Sequence, residues 1–195
     1  MSKKANKFYI TSPIFYVNAN PHIGHTYTIV AADILARYHR MIGDRVFLLA
    51  GTDEHGAKIE EKAKESGKDP KEFVDEISAK FSMAWDMLDI SNDGFIRTTD
   101  ENHKKAVQEA LQYMHDKGDI YKGEYEGLYC RGCEQFKAEN DLVDGLCPDH
   151  KTTPETMSEE CYMFKMSQYQ DELVKKIESD EYRILPVERK NEILS

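Results

Sequence analysis

The sequence predicts an α/β fold built on a parallel sheet, and three segments near the amino terminus predict it. Residues 8–12, Phe-Tyr-Ile-Thr-Ser, are aromatic and β-branched and are stopped by Pro13, the mark of a short strand. After a loop over 13–21, apolar residues recur at Ile23, Tyr27, Val30, Ile34, Leu35, Tyr38, Met41 and Ile42, a helical period. Arg37, His39 and Arg40 suit the dipole at the end of that helix, and Gly43 is placed to cap it. Residues 45–50, Arg-Val-Phe-Leu-Leu-Ala, are almost uninterruptedly apolar, as in a strand covered on both faces. Phe47, Leu48 and Leu49 are therefore expected in the sheet core. Strand, helix and strand in this order make a right-handed βαβ crossover.

Helical signals follow. Residues 56–66 read as a short polar helix ended by Gly67, and Asp69-Pro70 opens another. The second helix has an apolar face of Phe73, Ile77, Phe81, Met83 or Ala84, and Leu88, with Trp85 close to it. Residues 94–97 read as a short strand, and Thr99 or Asp100 caps a helix over 101–117 with an apolar line of Val107, Leu111 and Met114. From Ile120 to about Phe164 tyrosines and glycines crowd in and apolar runs shrink, which predicts a small insertion with short strands. Helix returns over 167–179, and the residues from Ile184 carry no clear pattern. The expected organisation is an α/β unit over 1–118, an insertion over 119–165 and a helical return over 166–195.

Composition removes several functional classes. The 195 residues carry 26 Lys+Arg against 36 Asp+Glu, a net charge of -10, so no strongly basic surface grips nucleic acid unaided. The balance is +2 over residues 1–55 and -12 over the remainder, which leaves the acidic part a poor RNA platform. No run approaches the ~20 apolar residues of a membrane helix, and the basic start lacks a signal-peptide core. The default expectation is a cytoplasmic protein with no membrane contact.

Cys130-Arg-Gly-Cys133, thirteen residues, then Cys147-Pro-Asp-His150 is the most specific spacing in the chain. Two close pairs of soft ligands can wrap one tetrahedral Zn²⁺. Three thiolates and an imidazole leave no open position, so the expected role is structural, holding together an insertion with little core of its own. The alternatives are a redox pair or unrelated free thiols. Cys161 is expected to be a small buried side chain and no ligand.

Asn20-Pro21-His22-Ile23-Gly24-His25 lies where the first helix begins, and a helix start offers unpaired N–H groups to phosphate. Two histidines three apart share one side of the first turn, and imidazole N–H groups can stabilise charge that builds on phosphate oxygens. The plain alternative is one capping histidine beside one packed histidine. Neither a dinucleotide-type glycine fingerprint nor a P-loop is present. Gly51-Thr52-Asp53-Glu54-His55-Gly56 ends the second strand, on the side of a parallel sheet where ligands collect. A carboxylate there can hold an ammonium group, or Thr52 or Asp53 simply caps the next helix.

These residues together resemble a known family. Pro-His-Ile-Gly-His at 21–25 looks like the signature of class I aminoacyl-tRNA synthetases. Thr11-Ser12-Pro13-Ile14-Phe15-Tyr16-Val17-Asn18, Ala32-Asp33, Arg37-Tyr38-His39-Arg40 and Gly51-Thr52-Asp53-Glu54-His55-Gly56 resemble the methionyl-tRNA synthetase family. The likeness runs down the chain to Arg189-Lys190-Asn191-Glu192. It implies a Rossmann-like sheet, the first half of the class I catalytic fold, with a zinc-bearing insertion. It also implies activation of methionine by ATP, with Mg²⁺, to methionyl-adenylate, and transfer to tRNA(Met).

Carried over by position, His22 and His25 contact the ATP phosphates and are the catalytic pair, while Gly24 admits the adenine. Asp53 binds the methionine ammonium, Ile14 and Tyr16 line the amino-acid pocket, and His55 lies near it. Cys130, Cys133, Cys147 and His150 match the ligand positions of the family's single zinc knuckle. The second signature loop, rich in lysine and serine, is absent; Lys165-Met166-Ser167 lacks the second lysine. The chain is accordingly expected to be an amino-terminal part, inactive alone, with tRNA held mainly by other parts. A different reading is a non-catalytic zinc-bearing interaction module that kept the fold.

Overall fold

The computed structural model describes residues 5–195, which fall into two compact units: one ends at Gln108 and the other spans Glu109–Ser195. The first unit holds the strands β1 (Lys7–Thr11), β2 (Phe15–Tyr16), β3 (Arg45–Asp53) and β4 (Gly94–Arg97), all paired in parallel. β3 is central. Its Leu49 lies opposite Thr11 of β1 on one edge and opposite Gly94 of β4 on the other, and β2 continues the β1 edge with Tyr16 opposite Asp53. The predicted strand at 45–50 therefore runs on through Asp53, and the expected loop over 13–21 contains a two-residue strand.

Gly51 is where β3 and β4 meet most tightly. A Cβ there would lie 2.6 Å from Ile96 Cγ2 and closer still to the Ile96 carbonyl oxygen, which is backbone and has nowhere to go. Gly51→Ala is expected to lower stability toward the upper end of the ~1–3 kcal/mol typical of overpacking, read by urea denaturation. An unchanged midpoint would mean that β4 can slide away freely.

The helices are α1 (Ile23–Met41), α2 (Ala57–Glu65), α3 (Pro70–Met87) and α4 (Glu101–Asp116). Asp69 caps α3, accepting from the Lys71 N–H at 2.8 Å, with Pro70 in the first turn where its missing N–H does no harm. α3 buries Phe73, Val74, Ile77, Phe81 and Trp85, and they form one cluster with Phe15, Val17, Ile29, Ala50, Ile59 and Ala63. Met83 and Leu88, expected on that face, are exposed; Val74 and Trp85 take their places.

Two expectations about burial are corrected. α1 does not bury most of its predicted apolar line: Ile23 is 86 % exposed, Tyr27 79 % and Met41 82 %, and Ile34, Leu35, Tyr38 and Ile42 are exposed as well. It packs through Ile29, Ala32 and Ala36 instead, with the two alanines against Leu48. Small side chains let the helix axis approach the sheet, so periodicity found the helix while size chose the face. In β3, Leu48 is fully buried but Phe47 is exposed and Leu49 only half-buried. Alternate side chains point to opposite faces, and the Leu48 face carries the helices. α4 buries none of its residues, although Val107, Leu111 and Met114 share its apolar line.

A polar tether fixes α1 to the segment before β4. Buried Asp33 accepts from the Ser91 N–H at 2.8 Å and from Arg37 Nε at 2.7 Å. Arg40 donates to the Ser91 carbonyl at 3.0 Å and to Asp93 at 2.7 Å, and the same Asp93 oxygen accepts from the Leu48 N–H at 2.7 Å.

The second unit is built on two antiparallel strands, β5 (Ile120–Cys130) and β7 (Glu155–Phe164), paired from Ile120 opposite Phe164 to Tyr129 opposite Glu155. β6 (Gln135–Lys137) joins the far edge of β5. The short strands expected here are thus a long ribbon with one small strand beside it. Period-two alternation in β5 is masked because Gly123 and Gly127 interrupt the face of Tyr121, Tyr125 and Tyr129, while Lys122, Glu124 and Glu126 occupy the other. α5 (Gln170–Glu178) lies within the predicted return helix, and α6 (Val187–Leu194) forms where no pattern was expected.

Candidate functional site

Local structure at the start of α1 decides what the two histidines can do. His22 is the N-cap: its Nδ1 accepts from the Gly24 N–H at 3.1 Å, and His25 Nδ1 accepts from the His22 N–H at 3.3 Å. The pair makes a reciprocal capping box with imidazoles in place of hydroxyl and carboxylate. A ring nitrogen that accepts carries no proton, so each neutral ring bears its proton on Nε2. The rings stack with centroids 3.7 Å apart. His22 is exposed, while His25 is half-buried, with centroids 5.2 Å from Phe15 and 5.1 Å from Phe81. Burial, then the neighbouring His22, hold the pKa of His25 below its ordinary value, which favours the neutral ring. Capping and packing are therefore real, and they leave two Nε2–H donors at a helix start.

The end of β3 lies on the same side of the sheet. Phe15, which His25 meets edge-on, pairs with Thr52, and Tyr16 pairs with Asp53. Asp53 is half-buried at the last position of the strand and caps no helix; α2 has Gly56 as its N-cap and no side-chain cap. Ile14 is 45 % exposed just before β2, and Tyr16 is half-buried. Gly24 is in the first turn of α1. His55 is exposed, its Nε2 3.3 Å from the Thr98 carbonyl oxygen.

Between Asp53 and His55 lies a feature that sequence reasoning missed. The Glu54 side chain is fully buried and accepts from Arg97 Nε at 2.7 Å, Arg97 Nη2 at 2.8 Å, Thr52 Oγ1 at 2.7 Å and the Thr99 hydroxyl. Its N–H donates to Thr98 Oγ1 at 2.8 Å, and Arg97 reaches Asp75 of α3 as well. Burial alone would raise the Glu54 pKa, but the bonds from Arg97, Thr99 and Thr52 outweigh it and hold the carboxyl below its usual range. Arg97, Thr98 and Thr99 lie more than forty positions from Glu54, and no local signal links them to it.

Cys130, Cys133, Cys147 and His150 bring their ligand atoms within 4.8 Å of one another. Cys133 Sγ is 3.4 Å from Cys147 Sγ and 3.3 Å from His150 Nδ1. Gly132 makes room for the imidazole: a Cβ there would lie 2.8 Å from Nε2 and closer still to Cγ and Cδ2. Cys130 and Cys147 are buried, and backbone N–H groups, foremost that of Cys133, lower the Cys130 thiol pKa to about 6. A closed set of three sulfurs and one nitrogen fits a tetrahedral structural ion. Cys161 lies outside the cluster and is half-buried, beside Met163.

A family model described as tRNA synthetases class I (M) matches residues 8–153. The chain belongs to the class I methionyl-tRNA synthetase family. It is 54 % identical over 188 residues to the methionine–tRNA ligase of Clostridium perfringens, covering 96 % of this chain and 29 % of the relative. The Thermotoga maritima ligase is 49 % identical over 192 residues, covering 96 % and 30 %. Among solved structures, Mycobacterium tuberculosis methionyl-tRNA synthetase in complex with methionyl-adenylate matches with a TM-score of 0.89 and 37 % identity, over 97 % of this chain and 38 % of that one. The chain thus spans about a third of the length of the methionyl-tRNA synthetases it matches. Among the described residues no helix is long and apolar enough to cross a membrane.

Proposed function

We propose that this chain supplies one half of the active site of a methionine–tRNA ligase, which activates methionine with Mg²⁺-bound ATP and then transfers it to tRNA(Met) in the cytoplasm. The observation that carries this reading is the capping box. Because both Nδ1 atoms accept backbone N–H groups, both Nε2–H groups are left as preset donors at a positive helix end. As the methionine carboxylate attacks the α-phosphorus and pyrophosphate leaves, negative charge grows on phosphate oxygens that these donors can reach. Neither histidine needs to take or give a proton. Gly24 leaves the adenine room against the backbone.

Asp53 anchors the methionine ammonium through a charge-assisted bond, with Ile14 and Tyr16 beside the side chain and His55 at the rim. A thioether offers little to hydrogen-bond, so pocket shape carries selection. Cys130, Cys133, Cys147 and His150 hold one Zn²⁺ as a fold-stabilising ion. tRNA contacts fall mainly on parts of the ligase outside these residues. The functional division is a half-fold over 1–118, the zinc insertion over 119–165 and a return segment over 166–195.

The test is methionine-dependent ATP–pyrophosphate exchange in a polypeptide of the relatives' length that carries this sequence. His22→Asn keeps an N-cap acceptor and removes the Nε2 donor. It is expected to lower the exchange rate roughly 10²–10³-fold while the KM for methionine moves little. Equal losses in rate and methionine binding would remove the transition-state role. No exchange with any amino acid, in folded protein that holds zinc, would favour the non-catalytic module.

A further inference from the structure

We propose that Thr98 is a positioning residue for the methionine ammonium, because its contacts around Asp53 fix where that carboxylate stands. This rests on the reading of Asp53 as the ammonium anchor. Among the described residues the Asp53 side chain takes no hydrogen bond or ion pair, so nothing at the carboxylate itself sets its direction. Its aim comes from the backbone that carries it. A charge-assisted bond depends on distance and angle, so a carboxylate that shifts loses its hold on an ammonium.

Thr98 grips that backbone on both sides of Asp53. Its N–H donates to the Thr52 carbonyl at 3.2 Å, and its Oγ1 accepts from the Glu54 N–H at 2.8 Å. Its carbonyl oxygen lies 3.3 Å from His55 Nε2. The residues before and after Asp53 are thus tied to one residue, itself buried, just beyond β4. From the β2 edge, the Val17 N–H donates to the Asp53 carbonyl at 3.3 Å and closes the frame. Thr52 and Glu54 are buried, and Asp53 between them turns to the other face. The neighbours of Thr98 do not stand in for its hydroxyl. Arg97 Nε and the Thr99 hydroxyl reach the far end of the Glu54 side chain and leave its N–H to Thr98. That N–H belongs to the peptide joining Asp53 to Glu54. A buried N–H deprived of its acceptor is costly, so the peptide shifts to find another and Asp53 shifts with it.

Methionine-dependent ATP–pyrophosphate exchange in a polypeptide of the relatives' length reads this, with deaminated methionine, which has hydrogen in place of the α-ammonium, as a competing inhibitor. Thr98→Val keeps the shape and removes the acceptor. Its KM for methionine is expected to rise roughly tenfold, while the inhibition constant of the deaminated analogue and the KM for ATP stay near the parent values. Thr98→Ser keeps the hydroxyl and is expected to bind methionine as the parent does. Where valine prevents folding, Thr98→Cys replaces it, since a thiol is a weak acceptor, and a smaller rise confined to methionine is expected. An unchanged KM for methionine without the hydroxyl overturns the proposal. So does an equal loss for methionine and the analogue, or an equal loss in Thr98→Ser, either of which would assign Thr98 to packing alone. Asp53→Asn tests the reading beneath: if it prefers methionine over the analogue as strongly as the parent does, Asp53 is not the ammonium anchor, a separate outcome.

Discussion

Arg97→Met is expected to remove about 3 kcal/mol of folding stability, the lower end of what breaking a buried ion pair costs, because Arg97 itself is a quarter exposed. The variant leaves the Glu54 carboxylate with no cation in a place water does not reach, and Thr52 and Thr99 alone cannot make up the loss. Urea denaturation monitored through Trp85, which is buried beside Phe15 and Phe81, reads the change. The pH dependence gives a second check with a definite sign. In the parent the Glu54 pKa is lowered, so its contribution is complete above the unfolded carboxyl value and fades as pH falls through the folded one. In Arg97→Met the largest cause of the lowering is gone and only the Thr99 and Thr52 bonds oppose burial, so the Glu54 pKa rises and protonation costs the variant less than the parent. The gap between parent and variant should therefore narrow on acidification. A constant gap from neutral to acid pH would show that the pair is not what stabilises the end of β3.

Withdrawal of the metal is the other large effect. Among the described residues of the second unit the buried apolar side chains include Cys130, Cys147 and Ile177, and the two cysteines belong to the ligand set itself. The segment from Cys130 to Glu155 has no independent core to keep it folded, and structural zinc in small units contributes folding free energy of order 10 kcal/mol. Chelation is expected to abolish amide-exchange protection over 130–154, while protection in β3 and α3 persists because their cluster contains no metal ligand. Gly132→Ala gives the same result by geometry: its Cβ would displace the His150 ring and leave three sulfurs. Undiminished protection of this segment after complete metal removal would show that the fold of the knuckle does not need the ion.

The sequence made the chemistry-bearing parts of the molecule legible more readily than the packing. Histidines three apart at a strand-to-helix junction, and cysteines in two close pairs, are local patterns, and local geometry brings their atoms together. The parallel sheet was legible for the same reason, since residues 8–12 and 45–50 are short strands of distinct composition and their crossover helix lies between them. Burial of α1 was not legible, because Tyr27 and Met41 mark an amphipathic helix without saying which stripe meets the sheet; Ala32 and Ala36 do. Glu54 was hidden between two candidate ligands, and its partner Arg97 arrives through a strand pairing that the sequence does not state. In the insertion, glycines at 123 and 127 interrupt the apolar alternation of β5, so a long ribbon read as several short pieces.

The polar tether at residues 33, 37, 40, 91 and 93 makes α1 and the approach to β4 a single mechanical part. Arg97 then clamps the end of β4 to Glu54, between Asp53 and His55. The two ends of the candidate site, imidazoles at the head of α1 and a carboxylate at the tip of β3, are thus mounted on one frame and act as a fixed gauge. On the proposed reading, a ligand supplies an ammonium and a phosphate at the separation this gauge sets. Discrimination by length between small molecules carrying both groups is then a property of the scaffold, and loosening Ser91 or Asp93, far from any ligand, should blunt it.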